Sequence, residues 1–139
     1  MTDIDTDAPR TRWLRALLAA LLAEIGLALI AAPVFMAMGM RSTATLNWLI
    51  PPASFAVFVL AGWWAARGEP RKAVLTGLLT GAWAVVLYIG LGLVAAQFVK
   101  GTSVTDGFTA PYLVAHALKI AGGALGGWLV ARKAMHGSA

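Results

Sequence analysis

Four polar side chains stand inside otherwise apolar stretches of this sequence and are its best candidates for chemistry: Glu24, Tyr88, His116 and Lys119. An ionisable group at mid-membrane costs about 3 kcal/mol even on lenient scales, and such groups are often functional. His116 and Lys119 are three residues apart and would share one helix face. Histidine also changes its charge near physiological pH, so His116 is the strongest candidate for coupling to protons.

The depths of these residues would allow them to meet. At 1.5 Å per helical residue, Glu24 lies about 18 Å above Arg12, and Lys119 about 20 Å above Arg132. The geometry permits an ion pair, with Tyr88 and His116 about one turn further out. The pair could bind a ligand or proton, or it could be structural, relieving the desolvation of two opposite charges. A third interpretation has no cluster at all, with Lys119 snorkelling outward.

The elements that would carry these residues are four apolar stretches, at 13–38, 47–66, 73–99 and 110–131. Each has the roughly 20 residues that a helix needs to cross a bilayer. The chain is 60% hydrophobic and 12% charged, whereas soluble domains carry about 25% charged residues. A barrel is disfavoured because strict alternation of apolar and polar residues is absent. We predict an all-α, four-helix transmembrane bundle over 13–132, with short cytoplasmic tails at 1–12 and 133–139.

The basic residues predict the orientation of these spans. Eight of the eleven Lys and Arg residues fall before or at the start of the first span, between the second and third, or after the fourth. Cytoplasmic loops carry such an excess, so both termini should face the cytoplasm of a bacterial-type inner membrane. Only Arg41 and Lys100 would lie on the opposite side. The first span is unlike a cleaved secretory signal because it is longer than the usual 7–15 apolar residues and contains Glu24.

Two blocks of sequence recur at nearly the same spacing. Residues 25–32 (IGLALIAA) return as 89–96 (IGLGLVAA), 64 residues later, and residues 60–67 (LAGWWAAR) return as 125–132 (LGGWLVAR), 65 residues later. The spacing predicts two parallel two-helix repeats around an axis along the membrane normal. In this register Ser54 corresponds to Lys119, and Tyr88 to Glu24. Chance similarity between apolar helices is the competing explanation.

Small residues mark the predicted packing faces of the third and fourth spans. The fourth contains the overlapping pairs Gly122/Gly126 and Gly123/Gly127, and the third repeats small residues at helical spacing at Gly77, Gly81, Ala84, Gly92 and Ala95, with Tyr88 on the same face. Such residues let membrane helices approach closely. The faces would serve either the bundle itself or an oligomer seam, and the sequence leaves both open.

The run Leu22-Ala23-Glu24-Ile25-Gly26 resembles the first-helix motif of small multidrug resistance transporters, as does the count of four short helices. This resemblance implies a membrane glutamate that exchanges protons for lipophilic cations. The family's third-helix pattern is not matched by Gly81-Ala82-Trp83-Ala84-Val85, and the parallel repeat and strong charge bias also differ. We therefore make no assignment to that family.

Several functional classes lack their signatures. The sequence has no cysteine, no phosphate-binding glycine loop, no HExxH and no Gly-x-Ser-x-Gly. Its two histidines have no metal-site spacing, and His116 alone would give haem only one axial ligand. No cofactor is therefore expected. Nucleic acid is not an expected partner because the net charge of +5 comes from the ends of apolar segments.

These observations predict a non-enzymatic membrane protein that binds or carries a small ligand, cation or proton at the polar cluster. The alternative is a structural or accessory subunit of a larger membrane complex, joined through its glycine-rich faces, which would also serve a homo-oligomer. A lipid-modifying enzyme is a third possibility, but a recognisable catalytic set is missing. In each case the basic side should attract anionic lipids of the bilayer.

Overall fold

A computed structural model describes residues 8–38, 43–98 and 109–136 of the chain. All regular structure in these residues is helical. The four helices are α1 (Ala8–Met38), α2 (Thr43–Ala66), α3 (Ala73–Phe98) and α4 (Ala110–His136), and a single 3₁₀ turn at Pro70–Lys72 precedes α3. Pro33 lies within α1, while Pro51 and Pro52 lie within α2, so these helices continue through their prolines. Both α1 and α4 reach past the predicted spans into the predicted tails.

All four helices are long and apolar enough to cross a membrane. Their outward faces carry many large apolar side chains, including Leu22, Leu29, Leu60 and Leu91, each with more than half of its surface exposed. Exposed apolar area on this scale marks contact with lipid or with other proteins. An all-helical fold with four helices long and apolar enough to span a membrane is therefore confirmed for the described residues, while the repeat and the orientation remain predictions.

Glycines on α4 place this helix in backbone contact with two neighbours at once. Gly122 and Gly126 face α2, where a Cβ at Gly122 would lie 2.6 Å from the carbonyl oxygen of Phe55. Gly123 and Gly127 face α3, and a Cβ at Gly123 would overlap the carbonyl oxygen of Gly77. Because the four glycines occupy the inside of the bundle, they are not available to an oligomer seam.

Helix α1 packs through alanines instead. Ala16, Ala19, Ala20 and Ala23 recur at helical spacing and are all buried. Ala20 and Ala23 join Phe58 of α2 and Ala84 of α3 in one apolar cluster. Helix α1 thus lies against α2 and α3, whereas α4 packs on the same two helices far more extensively than on α1.

The contacts fix the relative directions of the helices. Along α4, Gly122 meets Phe55 and Gly126 meets Trp63, so α4 runs parallel to α2. Gly81 meets Ile120 and Ala73 meets Gly127, so α4 runs antiparallel to α3. This arrangement gathers the start of α1, the α2–α3 turn and the end of α4 at one end, which we call the basic end; its described cations are Arg12, Arg15, Arg67, Arg71, Lys72, Arg132 and Lys133.

Some predictions need correction or fall elsewhere in the chain. Gly92 belongs to the predicted packing face of α3, but a Cβ there would meet nothing within 4 Å. The reason is that Gly92 lies one turn beyond Tyr88, whose ring already faces Tyr112 close to the start of α4 at Ala110, so α3 reaches the amino-terminal end of α4 there. Arg41, Lys100, most of the acidic amino-terminal tail and the side chain of Ala95 lie outside the residues described.

Candidate functional site

The predicted ion pair between the buried acid and base is present. Lys119 Nζ on α4 donates a hydrogen bond to Glu24 Oε1 on α1 at 2.5 Å. The pair crosses the interior of the bundle, because α1 and α4 themselves make little direct contact. It brings together the two charges that the sequence placed at equal depth. Binding of a ligand or proton by these residues remains a prediction.

The two charges are unequally accessible. The side chain of Lys119 is 7% exposed and that of Glu24 is 25% exposed. Lys119 Nζ also lies 5.6 Å from the ring centre of Phe58 and 5.9 Å from that of Tyr88, so aromatic faces surround the ammonium group. A cation at this distance from a ring is attracted to its π face. The carboxylate of Glu24 is therefore the more accessible of the two charges.

A cavity of about 390 Å³ opens beside the pair, on the side away from the basic end. Its polar lining consists of Glu24, Ser54, Tyr88, Tyr112, His116 and Lys119. Its remaining lining is apolar and comes from Leu27, Ala28, Ile30, Ala31, Leu49, Ile50, Ala53 and Ala115. Ligand sites of this size are commonly mostly apolar with a few convergent polar groups. The cavity has that composition.

Two polar side chains on the cavity wall have no hydrogen-bond partner among the described residues. These are Ser54, whose Oγ is buried, and His116, whose two ring nitrogens are both buried. The threonines of α3 provide a contrast: Thr76 Oγ1 donates to the carbonyl oxygen of Lys72 at 3.1 Å, and Thr80 Oγ1 donates to that of Thr76 at 3.0 Å. Buried polar groups are nearly always paired, so unpaired ones at a cavity point to water or a ligand.

Aromatic rings form the wall of the cavity between α3 and α4. The ring centre of Tyr88 lies 4.6 Å from that of His116 and 5.7 Å from that of Tyr112. The predicted neighbours Tyr88 and His116 are therefore in contact with each other, and both border the same space as the ion pair. All four residues singled out from the sequence thus line one cavity.

Ser54 and Tyr112 were not among the predicted site residues, although both line the cavity. The signal for Ser54 was present, because the repeat register pairs it with Lys119 and it is a polar residue within an apolar span. Tyr112 carried no such signal, since tyrosines near span ends ordinarily mark the membrane interface.

The described residues give less support to other kinds of site, such as a metal site. Within the described residues, no group of three or more His, Asp or Glu side chains is placed to hold a metal ion. Comparison with protein family models, curated proteins and solved structures found no match. Function must therefore be inferred from the residues of the cavity.

Proposed function

We propose that this protein binds, and in doing so can carry, a small cationic ligand in the cavity beside Glu24. The observation that carries the proposal is the ion pair between Glu24 and Lys119 on the wall of a cavity that also holds unpaired polar groups at Ser54 and His116. A purely structural pair needs neither the space nor the unpaired groups.

The unequal exposure of the two charges favours a cation over an anion. An incoming cation reaches the more exposed carboxylate of Glu24 and competes with Lys119 for it. An incoming anion would have to reach an ammonium group that is almost completely buried and already paired with that carboxylate. Tyr88 and Tyr112 line the same space, and the π faces of aromatic rings attract cations.

The other polar groups suit a ligand that forms hydrogen bonds. Ser54 Oγ can accept from an ammonium group, as can one nitrogen of a neutral His116 ring. The apolar lining accommodates a small hydrocarbon portion through residues such as Leu27, Ile30 and Ile50. A primary amine joined to one small apolar group matches both parts of the cavity.

The positions of the charges support a membrane orientation. We propose that the basic end faces the cytoplasm of a bacterial-type inner membrane, because the described cations other than Lys119 gather there and positive charge is enriched on that side. The cavity would then open toward the opposite side. The parallel two-helix repeat is part of the same proposal, and the correspondence of Ser54 with Lys119 on one cavity supports it.

The accessory-subunit alternative depended on glycine-rich faces free to meet a partner. The four α4 glycines face α2 and α3 within this chain, which removes their support for that alternative. Ligand binding is therefore the function that the described residues favour.

Three probes of similar shape test the sign of the ligand: benzylamine, which is a cation at neutral pH, benzyl alcohol, which is neutral, and benzoate, which is an anion. Isothermal titration calorimetry of the detergent-purified protein should give benzylamine the highest affinity. A charge-assisted hydrogen bond to Glu24 should favour it over benzyl alcohol by about tenfold or more. Tighter binding of benzoate, or equal binding of all three, would contradict the proposal.

Two double variants separate binding from folding. Glu24→Gln with Lys119→Gln removes both charges together and should lower benzylamine affinity by about tenfold while leaving neither charge unpaired. Glu24→Lys with Lys119→Glu keeps an ion pair but moves the carboxylate to the buried position, and it should also bind benzylamine weakly. Wild-type affinity in both variants would leave the pair with a structural role only.

A further inference from the structure

A second pocket, of about 300 Å³, lies at the basic end and is lined by Arg15, Trp64, Arg67 and Gly68. It is far along the helices from the cavity and shares no residue with it. This small pocket contains two guanidinium groups and one indole ring. The ligand site already described is lined by neither kind of group. Two cations this close together need contacts that fix their positions and an opposite charge that neutralises them.

Each guanidinium group is held by a different contact. Arg67 Cζ lies 3.4 Å from the centre of the Trp63 ring, so its flat face stacks on the indole and its edge N–H groups remain free to donate. Arg15 lies against Gly68 so closely that a Cβ at position 68 would overlap Arg15 Nη1. The missing side chain of Gly68 therefore makes the space that Arg15 occupies.

The acid that follows Gly68 in the chain is already paired. Glu69 forms an ion pair with Arg12, with Oε2 3.7 Å from Arg12 Nη1. Among the described residues, neither Arg15 nor Arg67 forms an ion pair with a carboxylate. Two neighbouring cations without a counter-charge repel each other, and an anion placed between them would remove that repulsion.

We infer that Arg15 and Arg67 form a binding site for a phosphate group at the basic end. Guanidinium groups donate paired N–H bonds that match phosphate oxygens, and the two arginines converge on one pocket. Trp64 is 48% exposed beside them, as expected of an indole at the membrane interface. Two sources carry this chemistry, a phospholipid headgroup and free phosphate, and the test below distinguishes them. This inference is independent of the function proposed for the cavity.

Native mass spectrometry of the detergent-purified protein tests the site with dioleoylphosphatidylglycerol and with dioleoylglycerol, which lacks the phosphate. We expect the phosphatidylglycerol adduct to be the tighter of the two. Arg15→Gln with Arg67→Gln should weaken it by about tenfold or more. The matched control Arg71→Gln with Lys133→Gln removes two charges at the same end from residues that do not line this pocket, and it should change the affinity less than about threefold. Equal loss in both double variants, or no loss in the first, would overturn the inference.

Gly68→Ala tests the site without changing any charge. The overlapping atom is the far end of the flexible Arg15 side chain, so the protein should fold normally while Arg15 is displaced. Phosphatidylglycerol should then bind several-fold more weakly, while the thermal midpoint of the protein stays unchanged. Wild-type affinity would show that Arg15 does not bind the lipid from its position beside Gly68. Competition by millimolar inorganic phosphate would identify free phosphate as the ligand, whereas its absence would identify the lipid headgroup.

Discussion

Helix α4 packs by backbone contact toward the basic end and by side-chain contact from Lys119 outward. In the first region Gly122, Gly123, Gly126 and Gly127 bring α4 against the backbones of α2 and α3. In the second region His116 and Lys119 reach toward Tyr88 and Glu24 and border an open space. One helix therefore closes the bundle at one end and leaves room for a ligand at the other.

This difference has a simple physical basis. Membrane helices are held together by close packing and by polar contacts, because lipid offers no hydrophobic reason for them to associate. The glycine end depends on close packing of helix backbones, and the cavity end depends on polar contacts between side chains. We therefore expect the glycine end to supply most of the stability and the cavity end to tolerate change at a cost to binding.

The largest effect should come from adding one methyl group at the glycine end. A Cβ at Gly123 would overlap the carbonyl oxygen of Gly77 and lie 3.3 Å from the backbone nitrogen of Gly81. Backbone atoms cannot rotate away, so Gly123→Ala should destabilise the protein by about 3 kcal/mol or more. Thermal unfolding in detergent measures this loss.

Gly90 provides the matched control for that substitution. It lies on α3, but a Cβ there would meet nothing within 4 Å. Gly90→Ala should leave the midpoint unchanged or raise it slightly, because glycine within a helix costs about 0.5–1 kcal/mol relative to alanine. Equal effects of the two substitutions would remove the distinction between the ends of α4.

A smaller loss of stability should follow when the ion pair is broken from one side. Glu24→Gln leaves the ammonium group of Lys119 buried without a counter-charge. Removing one partner of a fully buried pair costs about 3–5 kcal/mol. We expect about 2–3 kcal/mol here, below that range, because Glu24 keeps part of its side chain exposed.

The double variant Glu24→Gln with Lys119→Gln should recover much of that loss, since it leaves no charge unpaired. Thermal midpoints of the single and double variants give the comparison. If the double variant is as unstable as Glu24→Gln alone, the pair contributes more through its geometry than through its charge balance.

The similar depth of the two charges could be predicted from the sequence, and with it the possibility of an ion pair, because depth in a helix depends only on residue count. The depth of Glu24 was counted from Arg12 and that of Lys119 from Arg132. In the structure the start of α1 and the end of α4 lie together at the basic end. The four apolar helices followed from length and composition in the same way. Neither prediction required knowing which side chains fill the space between helices.

The cavity could not be predicted in this way. Its lining comes mainly from α1, α2 and α4, and it occupies the gap between α1 and α4, which make little direct contact with each other. The volume left between four helices depends on the combined shapes of their side chains, which periodicity does not encode. The unpaired state of Ser54 is likewise a property of the assembled bundle.

The smallest effect concerns two hydroxyl groups that are equally buried but differently paired. Thr80 Oγ1 donates to the carbonyl oxygen of Thr76, whereas Ser54 Oγ has no partner among the described residues. Thr80→Val should cost about 1 kcal/mol for the lost hydrogen bond, while Ser54→Ala should cost nothing or stabilise the empty protein slightly. Because Ser54 faces the cavity, only its substitution should weaken benzylamine binding. If Ser54→Ala destabilises as much as Thr80→Val and binding is unchanged, then ordered water satisfies the Ser54 hydroxyl and the cavity end is a hydrated structural element instead of a ligand site.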